Sequence, residues 1–366
     1  MPSHLVISVT QPAASGWGTA VIAALVGAGS ALLVTLVKDW FLEIRKERRA
    51  VLRGEVEVYK QYLAPLCDAC EKIVWRSKEI FVDQRHAFLK TSTLPLGFNG
   101  YKRTSTLYRI ATLIGWIRGM DRELSSLPRR NPAKSPSIAK EVNAFRKALA
   151  EGTPVEDERL ARLCALWSLD ISGLSVSSRA KLAMRVEVKA HELTGLSAAE
   201  DLAAAASLNA VKKRKLCVQL AEFIAGELKV VAPEPGLIEA NVAEALDSLA
   251  FREALIYRDW QDALGDAMIE LDEDSPRRFR IIGYAAFEDM IDKKATPWMR
   301  VLAASIDDID LETVDPKDFR SQQLQRLAGA SAAILVAASK RNDAHVSPMA
   351  LGAATALIKA LSDRPA

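Results

Sequence analysis

The sequence predicts an all-α protein, with one N-terminal transmembrane helix followed by a cytosolic multi-helix body. Residues 6 to 37 carry no charged side chain. Apolar residues recur at helical spacing through most of the remaining chain, and only the run from Phe279 to Phe287 is short and apolar enough for a strand. The composition, with 49% hydrophobic and 26% charged residues and a net charge of +3, is typical of a chain that folds.

The predicted transmembrane helix covers residues 17–37. This stretch is mostly apolar, and about 20 helical residues match the hydrocarbon thickness of a bilayer. No Lys or Arg precedes it, whereas a secretory signal peptide begins with basic residues, so we expect the segment to be retained. Residues 1–16 then form a short extracytoplasmic N-terminus. The alternative is a buried core helix of a soluble protein, although such helices rarely extend this far without a charge.

A basic juxtamembrane segment, residues 38–53, follows the predicted span. Lys and Arg beside a span stay on the cytoplasmic side, so we expect a single-pass protein of the inner (cytoplasmic) membrane with its C-terminal body in the cytosol. Each cation near the surface gains about 1 kcal/mol from anionic headgroups, which makes membrane lipid an expected partner. The predicted membrane-interface residues are Trp17, Lys38, Trp40, Arg45, Lys46, Arg48 and Arg49.

A row of small residues lies within the predicted span. Ala23, Gly27 and Ala31 stand four positions apart. Small residues at this spacing let two helix backbones approach closely, so they predict self-association through the transmembrane helix. The alternative interpretation is that Gly and Ala are simply common in bilayer helices.

The body is expected to comprise a helical region, residues 54–271, and C-terminal helices, residues 272–366, packed on it. Its first helix should end at Phe81, with a kink or a break near Leu63 and Ala64 because Pro65 removes a backbone hydrogen bond. The other predicted helices cover residues 105–127, a short segment between loops 128–137 and 151–158, a segment after a capping box at Ser197 and Glu200, the stretch after Lys212, and residues 237–271, 297–309, 319–340 and 348–361.

A search for chemical motifs gives no catalytic assignment. Nothing matches a phosphate-binding loop, a dinucleotide fingerprint, a zinc-binding HExxH helix or a nucleophile elbow. Cys67 and Cys70 form a CxxC within a predicted helix, so they are interpreted as structural rather than redox or zinc-binding. The acidic clusters at residues 272–274 and 307–312 lack calcium-loop spacing and are interpreted as solvated charge. No catalytic, cofactor-binding or metal-binding residue is assigned, and whether the body is an enzyme stays open.

Basic and aromatic residues also have ordinary structural interpretations. The basic run at residues 212–215 points all round a helix, so a solvated helix start is favoured over contact with lipid or nucleic acid, and nucleic acid is not an expected partner. Aromatic residues on predicted helices are interpreted as core packing rather than as a ligand cage. These aromatic residues are Trp75, Tyr108, Trp116, Tyr257, Trp260, Tyr284 and Trp298.

Three stretches of the chain carry a resemblance to known proteins. They are YKQYLAPLCDACEKIVWRSKEIF at residues 59–81, STLYRIATLIGWIRGMDRELSSL at residues 105–127 and PRRFRIIGYAAFEDMI at residues 276–291. Together they resemble a group of uncharacterised bacterial membrane-anchored helical proteins. The resemblance implies a bacterial, helix-rich protein with a membrane segment, and it supplies no activity or catalytic residue.

Two function classes follow from the sequence. The first is a membrane-anchored helical interaction or scaffold protein of unknown pathway, which binds an unknown cytosolic protein. The second is an unrecognised enzyme, or a membrane-perturbing effector whose transmembrane helix oligomerises. The first is favoured because no catalytic constellation is visible, whereas clustered carboxylates or histidines with shifted pKa values in one cleft would favour an enzyme.

Overall fold

The fold is almost entirely helical. The computed structural model describes residues 17–91, 97–125, 137–196, 202–275, 277–293, 296–313, 315, 317–341 and 346–363, without the side chains of residues 17–37, 39, 41, 44, 45, 47–52, 55 and 137. This part of the chain contains thirteen α-helices and one two-stranded hairpin. The predicted all-α class is confirmed.

The elements follow one another in this order. The helices are α1 (Trp17–Phe81), α2 (Gly97–Ser125), α3 (Ser137–Ala150), α4 (Thr153–Leu166), α5 (Val176–Thr194), α6 (Ala210–Leu228), α7 (Pro235–Ala240), α8 (Val242–Leu249), α9 (Arg258–Met268), α10 (Tyr284–Lys293), α11 (Pro297–Ala304), α12 (Arg320–Ser339) and α13 (Pro348–Ser362). Short 3₁₀ helices cover Ala87–Leu89 and Leu202–Ser207, and strands β1 (Ile269–Leu271) and β2 (Phe279–Ile281) pair antiparallel.

The chain divides into two compact units, with a boundary within α1 between Glu55 and Val56. In the first unit the side chains of Lys38, Trp40 and Lys46 are exposed. Within the part of the chain that the structure describes, no helix combines the length and the apolar character needed to cross a bilayer. Residues 1–16 lie outside that part, as do most of the side chains on which the anchor prediction rests. The side chains outside it include those of Trp17, Ala23, Gly27, Ala31, Arg45, Arg48 and Arg49.

In the second unit α1 supplies part of the core and continues through Pro65 without interruption. The prediction of a helix break near Leu63 and Ala64 is therefore wrong. Proline removes one helical hydrogen bond, but Tyr62 and Leu66 on either side are fully buried, and this packing holds the helix together across the defect.

Helix α2 lies very close to α9 and to the hairpin because glycines line the contact. A β-carbon at Gly115 would lie 2.8 Å from Ile281 Cδ1 and 2.9 Å from Met268 Cβ. One turn later, the ring of Phe279 fills the space beside Gly119. Larger residues at these positions would push the neighbouring elements apart.

The hairpin is fastened to α1 and α2 by Arg277. Its guanidinium lies 5.7 Å from the ring centroid of Tyr62 and 5.5 Å from that of Trp116. Its Nη2 also donates a hydrogen bond of 2.9 Å to the carbonyl oxygen of Gln61. Cation–π contact and hydrogen bonding thus fix a short hairpin that has few residues of its own to bury.

A further hydrophobic cluster forms between α4, α5, α6 and α8. Leu160 of α4, Val186 of α5, Leu220 of α6 and Leu249 of α8 are buried in it. The segment that precedes α6 is a 3₁₀ helix over Leu202–Ser207 rather than an α-helix, and its predicted capping box at residues 197–200 lies outside the described residues.

The start of α4 corrects one predicted loop. Residues 151–158 were expected to be irregular, but α4 begins at Thr153. Pro154 lies in the first turn, where its missing N–H removes no helical hydrogen bond, and Glu156 in the same turn suits the positive end of the helix dipole.

The prediction of a single long helix over residues 237–271 is also wrong. The region contains α7, α8, an extended segment, α9 and β1. In the extended segment the Arg252 N–H donates to the Lys317 carbonyl at 2.7 Å and the Ile256 N–H donates to the Leu149 carbonyl at 2.8 Å. These tertiary hydrogen bonds, with the full burial of Phe251, replace those that a helix would supply.

Helix α12 packs against α3 and α13 and carries a buried polar residue. Gln323 is only 3% exposed, and its Nε2 donates to the carbonyl oxygens of Leu149 at 3.0 Å and Ala254 at 2.9 Å. One side chain thus satisfies two backbone acceptors, at the end of α3 and in the extended segment.

Candidate binding surface on helices α1, α2 and α10

Three aromatic side chains form a continuous surface, which we call the aromatic surface: Phe98 and Tyr101 in the first turns of α2, and Tyr284 at the start of α10. Phe98 stacks on Tyr101 with ring centroids 5.8 Å apart, and Tyr101 meets Tyr284 at 5.9 Å. Phe98 is 69% exposed and Tyr101 is 50% exposed. Exposure of this kind is unusual for large aromatic side chains that lie next to one another.

Neighbouring side chains of α2 and α10 hold the aromatic surface in place. Tyr108 contacts Tyr284 at 5.6 Å and Phe287 at 5.5 Å between ring centroids, and its hydroxyl donates to the Ile282 carbonyl at 2.9 Å. The Tyr284 hydroxyl donates to Glu288 at 3.1 Å. Burial, followed by this hydrogen bond, raises the pKa of Tyr284 to about 12, so the phenol stays protonated at neutral pH.

Lys102 lies beneath the exposed edge of the aromatic surface. Its ammonium group is 5.3 Å from the ring centroid of Phe98 and 5.6 Å from that of Phe88. It also pairs with the carboxylate of Glu79 on α1. The cation therefore joins the start of α2 to α1 and limits the movement of Phe98.

A cleft beside this surface, the arginine cleft, lies between α1, α2 and α12. It encloses about 290 Å³ of empty space when its open mouth is counted, and its interior has room for about one water molecule. The polar side chains that line it are Arg76, Ser77, Thr106 and Arg109. The apolar ones are Ile73, Ile80, Ile110, Leu324, Leu327 and Ala328.

Arg76 is the more buried of the two arginines. Its Nη1 donates to Glu79 at 2.8 Å, and the guanidinium carbon lies 5.2 Å from the ring centroid of Phe88. Its Nε is buried and has no hydrogen-bond partner among the residues that the structure describes. Burial lowers the pKa of Arg76, and Glu79 partly opposes that effect.

Arg109 is half-buried on the facing side of the cleft. Its Nη1 donates to the Lys72 carbonyl at 2.8 Å, and within the described part of the chain it forms no ion pair. Burial lowers its pKa first, and the positive charge of Arg76 lowers it further. The positive charge of Arg76 thus disfavours that of Arg109, while Glu79 partly opposes this effect, and among the described residues the direct ion pair with Glu79 is made by Arg76.

A separate group of charged side chains joins α4 and α5. Arg159 is almost fully buried and donates to Glu187 at 2.7 Å, with Glu253 at 4.0 Å. Burial, and then the charge of Glu187, raises the pKa of Glu156. Burial also raises the pKa of Tyr257 to about 12. Since the central cation is paired with Glu187, this group is an internal ion cluster that links the two helices.

Cations pair with the acidic cluster at residues 307–312, whereas in the cluster at residues 272–274 Glu273 and Asp274 are exposed. Arg103 donates its Nη2 to Asp307 at 2.7 Å, and Lys90 lies 3.2 Å from Asp310 and 3.1 Å from Glu312. Asp307 is thus a half-buried ion-pair partner, not simply solvated charge. In the part of the chain that the structure describes, no group of three or more His, Cys, Asp or Glu side chains is placed to hold a metal ion.

The aromatic surface and the arginine cleft belong to the second unit, whereas the membrane-interface and helix-association residues that the sequence indicated belong to the first unit. The aromatic residues that were expected in the core are half-buried or exposed instead, including Tyr284, Tyr257 and Trp116. Phe98 and Tyr101 were missed because α2 was expected to begin at Ser105 rather than at Gly97. Their spacing of three residues, next to Lys102, was the available signal.

Comparison with known proteins gave no match, whether with family models, with curated proteins or with solved structures. The site is therefore interpreted from its own geometry.

Proposed function

We propose that this protein is a membrane-anchored helical interaction protein, and that its aromatic surface binds a cytosolic protein partner. The observation that carries the proposal is the exposure of Phe98 and Tyr101 in one rigid stack. Full burial of a Phe side chain contributes about 1.5–3 kcal/mol, and Tyr is among the residues most often found at the centre of protein interfaces.

The arrangement also favours binding because it is preorganised. Stacking, the contact with Lys102 and the hydrogen bond from Tyr284 to Glu288 already restrict the side chains. When a partner covers these side chains, they therefore lose little conformational entropy. A larger loss would oppose association.

The membrane anchor rests on the apolar residues 17–37 and on the basic residues after them. Lys38 and Lys46 have exposed side chains on α1, as contact with anionic headgroups requires, and Trp40 is 63% exposed. The anchor would raise the local concentration of the aromatic surface near membrane-associated partners.

The alternative is an unrecognised enzyme, which draws on the raised pKa of Glu156 beside Glu187, or a membrane-perturbing effector, which draws on the small residues of the predicted span. A carboxyl with a raised pKa is a candidate general acid. Because the neighbouring Arg159 and Glu187 are paired with each other, we place this function second.

Site-specific photo-crosslinking of the full chain in cells tests the proposed interaction. A benzophenone amino acid at position 98 should give a discrete protein adduct. The same group at Tyr257, an aromatic position that is 42% exposed on the same unit, should give none. Absence of an adduct at position 98, or equal adducts at both positions, would contradict the proposal.

Fractionation tests the anchor separately. The full chain should sediment with membranes, and a chain without residues 17–37 should not. A reporter that is active only in the cytosol, fused after Ala366, should be active. Recovery of the full chain in the soluble fraction would remove the anchor from the proposal while leaving the crosslinking result intact.

A further inference from the structure

The arginine cleft has an excess of positive charge that its own side chains do not neutralise. Arg76 and Lys102 share the carboxylate of Glu79, while Arg109 donates to the Lys72 carbonyl and forms no ion pair with a described residue. These three cations and one carboxylate have a net charge of +2, with Arg76 and Arg109 in the lining of the cleft and Lys102 beside it under Phe98. Burying charge without a counterion is unfavourable, so a site of this kind gains free energy when it binds an anion.

The hydrogen-bond donors of the cleft are also incompletely used. The buried Nε of Arg76 has no acceptor among the described residues, and the Arg109 guanidinium has donors beyond the one that the Lys72 carbonyl accepts. Ser77 and Thr106 bring hydroxyl groups to the same walls. A water molecule could satisfy one donor, but it would not neutralise the charge.

We propose that the arginine cleft binds a phosphate group. A net charge of +2 matches the dianion, Arg76 lines the interior that one oxygen can enter, and the more exposed guanidinium of Arg109 suits bidentate contact with phosphate oxygens. The interior has room for about one water molecule, which also suits one phosphate oxygen, so the remainder of the ligand lies at the mouth. This inference does not rest on the proposed partner protein or on the membrane anchor.

Two kinds of ligand carry a suitable phosphate group: free inorganic phosphate and a phosphate ester of a larger molecule. Lys102 contacts the ring of Phe98 and shares the Glu79 carboxylate with Arg76, so the aromatic surface begins near the cleft. Free inorganic phosphate would use the cleft alone. A phosphate ester of a larger molecule would place its organic part on Tyr101, where an apolar or aromatic group finds contact area.

Titration of the purified full chain with inorganic phosphate, followed by calorimetry at constant ionic strength, tests the site. Phosphate should bind and raise the unfolding temperature, whereas chloride should do neither. Arg109→Gln should weaken phosphate binding by about tenfold or more, because one charged donor pair is lost. Arg300→Gln, at an exposed arginine on α11, is the matched control and should bind as wild type.

Phenyl phosphate distinguishes the two sources. Tighter binding than inorganic phosphate, with the gain lost in Tyr101→Ala, supports the phosphate site with an ester as its ligand. Equal binding supports the site with free phosphate as its ligand. Arg109→Lys should recover part of the affinity, which excludes misfolding as the cause of the Arg109→Gln effect. The proposal is overturned if phosphate binds no better than chloride, or if Arg109→Gln binds phosphate as tightly as Arg300→Gln.

Discussion

The ring of Phe279 occupies the space that a β-carbon of residue 119 would fill, so the β-hairpin rests directly on the backbone of α2. A methyl group there must displace either the ring or the helix. Gly119→Ala should therefore lower the free energy of unfolding by about 1–3 kcal/mol, the usual cost of overpacking. Urea denaturation measures this change.

Gly226 provides the control for that experiment. It lies in α6, and a β-carbon there would meet no described atom within 4 Å. Gly226→Ala should raise the free energy of unfolding by about 0.5–1 kcal/mol, since alanine restricts the unfolded chain and suits a helix. Equal effects at positions 119 and 226 would show that the hairpin does not press on α2.

Gln323 predicts a second stability effect. Gln323→Met keeps the approximate volume but removes the donor for the Leu149 and Ala254 carbonyls. The Leu149 carbonyl keeps the Ile256 N–H as a donor, whereas the Ala254 carbonyl loses the Gln323 donor. One buried acceptor without a donor costs about 1–3 kcal/mol, so a loss of that size is expected in urea denaturation. Gln322→Met, at the neighbouring half-buried position, should change stability by less than about 1 kcal/mol.

The raised pKa of Glu156 predicts that the stability of the protein depends on pH. Its carboxyl has a raised pKa in the folded chain, so the native state holds the proton more tightly than the unfolded state does. The resulting stabilisation is present in acid and is lost as the pH rises through the native pKa. Glu156→Gln, which stays neutral, should therefore be more stable than wild type at pH 8, and the difference should shrink as the pH falls.

Thermal unfolding across this pH range checks the expectation. Glu222→Gln, at an exposed position on α6, serves as the control and should show a much smaller change with pH. A Glu156→Gln variant that is less stable than wild type at pH 8 would indicate that the carboxylate is stabilised by its neighbours instead.

The four cysteines should be unreactive in the native protein. Burial raises the pKa of Cys67 and of Cys217 to about 11 and that of Cys164 to about 12, and it raises the pKa of Cys70 as well. Because the thiolate is the nucleophile, a rise of this size slows modification on the order of 100-fold at neutral pH, before access is considered. Ellman's reagent should detect four thiols only after denaturant is added. Prompt reaction of Cys67 or Cys70 in the native chain would contradict this environment.

Self-association of the predicted span can be tested apart from the body. If Gly27 lies where two helices cross, Gly27→Leu should force the backbones apart and weaken association of the isolated segment in a membrane two-hybrid assay. Leu25→Ala, on another face, should have little effect. Equal association of wild type and Gly27→Leu would leave the small residues without a role in assembly.

The helical class of the body could be predicted from the sequence, whereas several boundaries and the candidate site could not. Periodicity identified α12 and α13 closely because each buries one apolar stripe. The same periodicity concealed the extended segment around Phe251, whose backbone bonds to distant carbonyls rather than to its own turns. A local pattern contains no information about such partners.

The arginine cleft also could not be predicted from local sequence patterns. Arg76 and Arg109 come from the consecutive helices α1 and α2, and Leu327 comes from α12, near the other end of the sequence. Either arginine alone reads as an ordinary surface cation on an amphipathic helix. Only the packing of α1, α2 and α12 brings the guanidinium groups together and excludes water from one of them.

Glu79 connects the arginine cleft with the aromatic surface. Its two carboxylate oxygens are divided between Arg76, which lines the arginine cleft, and Lys102, which lies under Phe98. An anion that draws Arg76 away leaves more of the carboxylate's charge for Lys102 and so changes how firmly the aromatic surface is held. The two binding events are then thermodynamically linked through one shared carboxylate, and each must alter the affinity for the other by the same factor.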